Sequence, residues 1–270
     1  MPQRARPRYS DRVAGDPPPS VWLVERDAFF AYAAREPEFI REIERGTCFV
    51  VRGYLPPAGL AAVRDTMGAL RAAGPAQWHP CLDGCPDHHR INDEYPGSHV
   101  RGRLRVYHLH PWNPHRQVFE LFADVFDLKH RLAGVAPGAY LANRPSDQVI
   151  ARVTINHYPR GGGWLHEHVD PAAPFARIQT LVMGSQPGSD YTSGGFFYRL
   201  PDGRTVTTDA WTAPGDLVVL SPHLPHGVSP VDPEHPLDWE RPDGRLSIIP
   251  IVMYSDDPKV QAPRSYMPPR

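Results

Sequence analysis

The sequence predicts a mainly β fold with flanking helices, a double-stranded β-helix of jelly-roll or cupin-like form, on three observations. From Ile150 onward the chain breaks into short apolar runs separated by Gly, Pro and Asp turns, the texture of an all-β sandwich or barrel. Eight runs read as strands, near residues 150–158, 164–170, 177–183, 194–199, 204–208, 216–220, 226–231 and 246–254, and that number suits a jelly-roll barrel. The N-terminal half instead spaces its apolar residues helically. With 270 residues, 41% of them hydrophobic, the chain can bury one large core, so residues 21–270 are expected to form one domain.

In chain order, residues 1–20 are rich in Pro, Arg and Ser and read as a flexible tail. Trp22 to Arg45 carries an apolar pattern broken at Pro37, which predicts two short helices before a strand at Cys48–Leu55. Leu60, Val63, Met67 and Leu70 recur at helical spacing after Pro56-Pro57. The run from His79 to His89 gathers imidazoles, thiols and carboxylates. His79, Cys81, Cys85 and His88 suggest zinc, but structural zinc sites draw on two separated ligand pairs and no second pair is evident. A loop near the barrel mouth is the simpler reading, in which Tyr107, His110 and Trp112 contact a polar substrate. Arg101 to Arg105 reads as a solvated basic face or a small anion site. Val118, Leu121, Phe122, Val125 and Leu132 form the core stripe of a helix over residues 114–133. Gly161-Gly162-Gly163 lacks the lysine and helix of a phosphate loop and reads as a turn. Trp164 and Tyr198, on strands of the barrel, are further candidates to face the substrate.

A formal net charge of −1 argues against a dedicated nucleic-acid surface. No run of about 18 apolar residues exists to span a membrane, and the N-terminus carries positive charge without an apolar signal core. Three cysteines argue against a disulfide framework and fit a reducing compartment, so a cytoplasmic location and a small-molecule partner are expected.

The chemistry concentrates in His168-Val169-Asp170. Among 14 histidines roughly one such triplet is expected by chance, so the triplet alone proves little. Its placement before the apolar run Ile178 to Met183 matters more: on a strand, alternation puts His168 and Asp170 on one face, with Val169 pointing into the opposite layer. A third ligand is expected from a distant strand. His226 opens the alternating stretch His226 to Val231, whereas His223 lies between prolines in a loop and is the weaker candidate. Two imidazoles and one carboxylate leave a metal face open, an arrangement suited to oxygen-activating non-heme Fe(II). Further on, Arg245 and Ser247 share one face of a β-rich run. An arginine inside a strand is costly unless paired, and its planar fork suits a carboxylate, so a dicarboxylate co-substrate is a natural partner.

These residues resemble the Fe(II)- and 2-oxoglutarate-dependent dioxygenases, which carry His-x-Asp/Glu, a distal histidine and a basic residue on a later strand. The resemblance implies Fe(II) at His168, Asp170 and His226, with Arg245 and Ser247 holding the distal carboxylate of 2-oxoglutarate. Asn156-His157-Tyr158-Pro159 resembles the Asn-x-Tyr-Pro strand of isopenicillin N synthase-like members, which implies that Tyr158 and Asn156 face the co-substrate. Cys48 to Leu55 before a helix resembles phytanoyl-CoA hydroxylase-like members. One departure is the acidic, proline-rich loop Asp232 to Asp243, which lengthens the connection between His226 and Arg245; an insertion at a loop tip costs little. The resemblance implies O2 as the oxidant and decarboxylation to succinate, coupled to hydroxylation, cyclisation or desaturation of a polar small molecule. Abundant Pro and Arg suggest a specialised-metabolite pathway such as antibiotic biosynthesis. Two other readings share the same barrel: a cupin-type metalloenzyme that uses no keto acid, and a non-catalytic jelly-roll binding module.

Overall fold

The computed structural model describes residues 17–78, 88–96, 98 and 100–255. Most of the expected tail, and His79, Cys81 and Cys85 of the suggested zinc cluster, lie outside the described residues. The elements in chain order are β1 (Val21–Glu25), α1 (Arg26–Ala33), α2 (Glu36–Glu44), β2 (Cys48–Arg52), α3 (Pro57–Ala73), β3 (Gln77–Trp78), β4 (His89–Asp93), β5 (Gly102–Leu109), α4 (Arg116–Glu120) and α5 (Ala123–Leu132). The second half follows with β6 (Val149–Pro159), β7 (Gly163–His168), β8 (Gln179–Met183), β9 (Gly195–Arg199), β10 (Thr205–Thr207), β11 (Leu217–Leu220), β12 (His226–Val231) and β13 (Gly244–Tyr254). The strands pair in the order β1-β2-β11-β8-β13-β6-β5-β7-β12-β9-β10, with β4 on the side of β5 and β3 beyond it. β5 is the corner: Arg105 to Leu109 pair with β6, while Gly102 and Arg103 pair with β7, so one curled sheet wraps over itself.

Alternation along the strands explains why the sheet has two cores. In β2, Phe49 and Val51 face the helices while Cys48 and Val50 face the barrel interior; in β11, Leu217 and Val219 take the first side and Val218 and Leu220 the second. Both faces are covered, which is why these strands read as continuous apolar runs. The helical layer supplies Phe29, Phe39, Val63, Phe122 and Phe126 to the outer core. On β6 the two faces differ in kind. Ala151, Val153 and Ile155 join the outer core, and Arg152, Thr154, Asn156 and Tyr158 turn toward a cavity inside the barrel.

All eight strands read from the second half of the sequence are present. Two helical readings change. Val21–Glu25 is a strand parallel to β2, and the helix break falls at Ala34-Arg35, leaving Pro37 in the first turn of α2, where its missing N–H costs nothing. The single helix over residues 114–133 is two, α4 and α5. The reading of Arg101 to Arg105 as a solvated face is overturned for Arg105, which is 1% exposed within β5 and bonds Glu240 at 2.9 Å.

Several histidines are buried against this framework. Burial, opposed by the Asp243 carbonyl and reinforced by Arg105, pushes His157 down to about 4, and burial followed by Arg152 holds His108 well below its ordinary value. The unfolded chain protonates such groups below about 6.5 while the folded chain does not, so stability falls as pH drops from about 6.5 toward 4. Each missing proton costs about 1.4 kcal/mol per pH unit. The metal-free protein is therefore expected to lose about 1 kcal/mol from His157 between pH 7 and about 5.5, with a further loss from His108, a fall of at least roughly 2–4 °C in Tm. A Tm that stays flat over that interval in calorimetry contradicts neutral burial.

Candidate metal centre and adjoining cavity

His168 ends β7, and Asp170 lies two residues beyond it in the following loop, where its N–H donates to Pro222 O at 2.9 Å. That placement differs from the expectation of one strand through residue 170. Val169 is 50% exposed and does not enter an opposite layer, because the strand has already ended. His226 opens β12 directly opposite His168 in the antiparallel register. His223 is exposed, so His226 is the third member of the cluster.

The geometry suits one ion. Asp170 Oδ1 lies 3.7 Å from His168 Nε2 and 3.8 Å from His226 Nε2, and the two imidazole centroids are 4.4 Å apart. One donor atom from each residue falls within 4.8 Å of the others, and no other group of three or more His, Cys, Asp or Glu among the described residues does so. Nδ1 of His168 is 2.8 Å from His166 O and Nδ1 of His226 is 2.8 Å from Leu224 O. With Nδ1–H donating to the carbonyl, each Nε2 presents its lone pair to the shared space. Gln179 Nε2 donates to Asp170 Oδ2 at 2.7 Å, and Gln179 Oε1 accepts the Thr180 N–H, so the carboxylate is oriented with Oδ1 toward the imidazoles. Gln179→Ala is expected to weaken divalent-metal binding about 10–100-fold with little change in Tm; titration calorimetry with Mn(II) checks this. Behind the site, Lys129 is buried on α5 with Nζ donating to Ile178 O at 2.9 Å; burial pushes it down to about 7, partly opposed by Asp170.

The cluster opens on a cavity of about 180 Å³, also lined by Asn156, Tyr158, Arg245 and Ser247, so all seven residues assigned to metal and co-substrate converge. Arg245 is fully buried. Its Nε and Nη2 bind the two carboxylate oxygens of Asp209, at 2.8 and 3.1 Å. Asp209 also accepts the Tyr191 hydroxyl. Burial opposes the charge on Arg245, but Asp209 outweighs it and raises the guanidinium above its ordinary value. Asp209 sits this close because position 195 is glycine at φ +120°: a Cβ there would meet Asp209 Oδ2 at 2.3 Å. The fork expected to grip a carboxylate through two parallel bonds is thus partly occupied. Nη1 of Arg245 is buried without a partner among the described residues, as is Oδ1 of Asn156, whose Nδ2 donates to the Tyr158 hydroxyl at 3.3 Å. Buried polar atoms left unmatched beside a cavity fit a polar ligand that completes them.

The expected substrate residues do not line this cavity. Tyr107 and His110 are buried in or just past β5, Tyr107 stacked on His89 at 4.5 Å and His110 on Trp112 at 4.6 Å. Tyr198 is buried beside Cys48 and Ser20, and burial and then Cys48 push its hydroxyl up. Trp164 packs edge-on to the exposed His166. Residues that sequence reasoning passed over take their place: Arg152, Thr154, Gln179, Phe196, Ile249 and Ile251. The alternation Arg152-x-Thr154-x-Asn156-x-Tyr158 was a usable signal, since four polar residues on one face of a strand with an apolar other face mark a polar cavity.

No family model matches the chain, and no curated protein matches it. Solved structures do. A prolyl-4-hydroxylase from Pseudomonas putida aligns with a TM-score of 0.50 at 15% identity, over 81% of this chain and 97% of that one. A prolyl hydroxylase from Trichoplax adhaerens, in complex with a hypoxia inducible factor peptide fragment, aligns with a TM-score of 0.52 at 12% identity, over 87% and 94%. At these identities the likeness is one of architecture: the curled sheet with its His-Asp-His cluster has the double-stranded β-helix fold of these hydroxylases.

Proposed function

We propose that the chain is an Fe(II)- and 2-oxoglutarate-dependent oxygenase that hydroxylates, or oxidatively cyclises or desaturates, a polar small molecule. The observation that carries this reading is that three metal-type donors and Arg245 Nη1, unmatched among the described residues, share one cavity. His168, Asp170 and His226 would hold the iron, and a set of three protein donors would leave it open to a co-substrate. Bound there, iron with 2-oxoglutarate and O2 supplies an oxidant strong enough to take hydrogen from an unactivated carbon. Arg245 Nη1, with Ser247 and Tyr158, would anchor the far carboxylate of the keto acid. Asp209 holds the guanidinium plane so that the free edge is fixed before the ligand arrives, which reduces the ordering cost of binding. The apolar walls Leu181, Phe196, Ile249 and Ile251 exclude water from the reacting carbon.

An anaerobic visible titration of the Fe(II)-loaded protein with 2-oxoglutarate tests the reading. A weak metal-to-ligand charge-transfer band is expected in the wild type, and Arg245→Ala is expected to need about 10–100-fold more keto acid for half-saturation, the worth of a charged hydrogen bond. Iron binding without any band sinks the keto-acid reading and favours a cupin-type enzyme. Failure to bind Fe(II) favours a binding module.

A further inference from the structure

Lys129 is a buried basic group to which the oxygenase reading gives no task. It lies on α5 and is 4% exposed. Its Nζ donates to Ile178 O at 2.9 Å, which is its one hydrogen bond among the described residues, and no acidic group among them forms an ion pair with it. An ammonium buried without an ion-pair partner is costly, and a methionine would fill the same space without that penalty. The surroundings sharpen the point. A small cavity of about 40 Å³ at Lys129 is walled mostly by apolar side chains, among them Phe175, Ile178, Ile251, Val252 and Met253.

Two other polar side chains interrupt that wall, Asp170 and Gln179. Asp170 is a metal donor, and Gln179 Nε2 donates to its Oδ2 at 2.7 Å. Asp170, Gln179 and Ile251 line both this cavity and the larger one, so the carboxylate forms part of the wall between Lys129 and the metal space. Asp170 is also the charged group whose influence opposes the burial of Lys129. The bond to Ile178 O fixes where the ammonium sits, because the carbonyl that Lys129 grips belongs to the peptide leading into Gln179, the residue that orients Asp170. An ammonium and a divalent ion attract the same carboxylate and repel each other. Lys129 and the metal therefore compete for the charge of Asp170.

We propose that Lys129 is a positioning residue of the metal centre that acts through Asp170: it offsets part of the charge of that carboxylate, so that the centre holds a divalent ion less tightly than its three donors alone would and favours Fe(II) over Fe(III). The inference rests on the oxygenase reading, because that reading places iron at Asp170 and requires it ferrous. A positive charge near the centre raises the energy of the more highly charged ion more than that of the less charged one. A lysine at this position thus serves the ferrous state, which an apolar residue of the same size would not.

The test compares the full wild-type chain with Lys129→Met, Lys129→Gln and Lys129→Arg. The first removes charge and donor together, the second removes the charge but keeps a donor for Ile178 O, and the third keeps the charge. Melting curves of the metal-free proteins confirm folding; if Lys129→Met does not fold, Lys129→Gln and Lys129→Arg still decide. Calorimetric titration with Mn(II) is expected to show Lys129→Met and Lys129→Gln binding about 3–10-fold more tightly than wild type, with Lys129→Arg within about threefold of it. Mediated redox titration of the iron-loaded proteins is expected to give a lower Fe(III)/Fe(II) midpoint potential in Lys129→Met and Lys129→Gln, a readout that loss of a structural tie alone would not move in that direction. Equal or weaker Mn(II) binding in Lys129→Gln overturns the proposal and leaves Lys129 as a tie for the Ile178 carbonyl. A midpoint potential that does not fall overturns it as well. If wild type binds Mn(II) but its Fe(II) form gives no charge-transfer band with 2-oxoglutarate, the keto-acid reading fails separately and the Mn(II) comparison still decides the role of Lys129. If wild type binds no divalent metal, both fall.

Discussion

Asp170→Ala is expected to weaken Fe(II) binding by more than about 100-fold and to reduce succinate formation to background. Losing a partner that merely orients a ligand costs about 10–100-fold in metal affinity, so losing the ligand itself costs more. Asp170 is the one anion of the three donors, and its Oδ1 sits almost equidistant from the two imidazole Nε2 atoms, at 3.7 and 3.8 Å. Without it, two neutral imidazoles remain 4.4 Å apart with nothing to offset the charge of a divalent ion. Removing Asp170 also takes away the carboxylate that opposes the burial of Lys129 and accepts from Gln179 Nε2, so the metal-free Tm is expected to fall by about 2–4 °C, the shift from about 1 kcal/mol. Calorimetry with Mn(II) and melting curves of the apo protein separate the two effects. Affinity within tenfold of wild type shows that the ion, if any, is held elsewhere.

How much of this was legible beforehand depends on what each element reports locally. The eight strands after Ile150 carry apolar runs bounded by turn residues, and that alone places their ends to within two residues. His168 and His226 were legible because a ligand on a strand has fixed neighbours at period two. Asp170 was legible as a donor but its loop position was not, since the end of β7 depends on pairing with β12. β4 and β5 were hidden by composition: His89–Asp93 and Gly102–Leu109 are rich in charge, and their burial depends on partners distant in sequence, such as Glu240 for Arg105. The same reason hid Asp209. It lies 36 residues before Arg245 in a short turn, and nothing in Asp209-Ala210-Trp211 announces that it occupies half of that guanidinium. A sequence shows which residues can carry charge; the packing decides which charges meet.

Asp209→Ala is expected to destabilise the folded protein by about 3–5 kcal/mol, because it strands Arg245 as a fully buried charge. Against a total stability of about 5–15 kcal/mol, that is a fall of roughly 6–20 °C in Tm. Arg245 Nη1 already lacks a partner among the described residues, and without Asp209 its Nε would join it while Nη2 kept only Met183 Sδ. Replacing both partners reverses the sign of the argument. Arg245→Met with Asp209→Leu removes two desolvated charges together, and buried pairs exchanged for apolar residues of similar volume are often neutral or more stable. The double variant is therefore expected to recover most of the stability lost by Asp209→Ala in urea denaturation, while losing the keto-acid binding that wild type shows by charge-transfer titration. If it instead melts as low as Asp209→Ala, with Tyr191 left facing an apolar side chain, the ion pair is a structural necessity of the barrel. If stability returns and binding is lost, the pair is retained for its ligand: the barrel holds a costly buried guanidinium because one edge of it must meet a carboxylate.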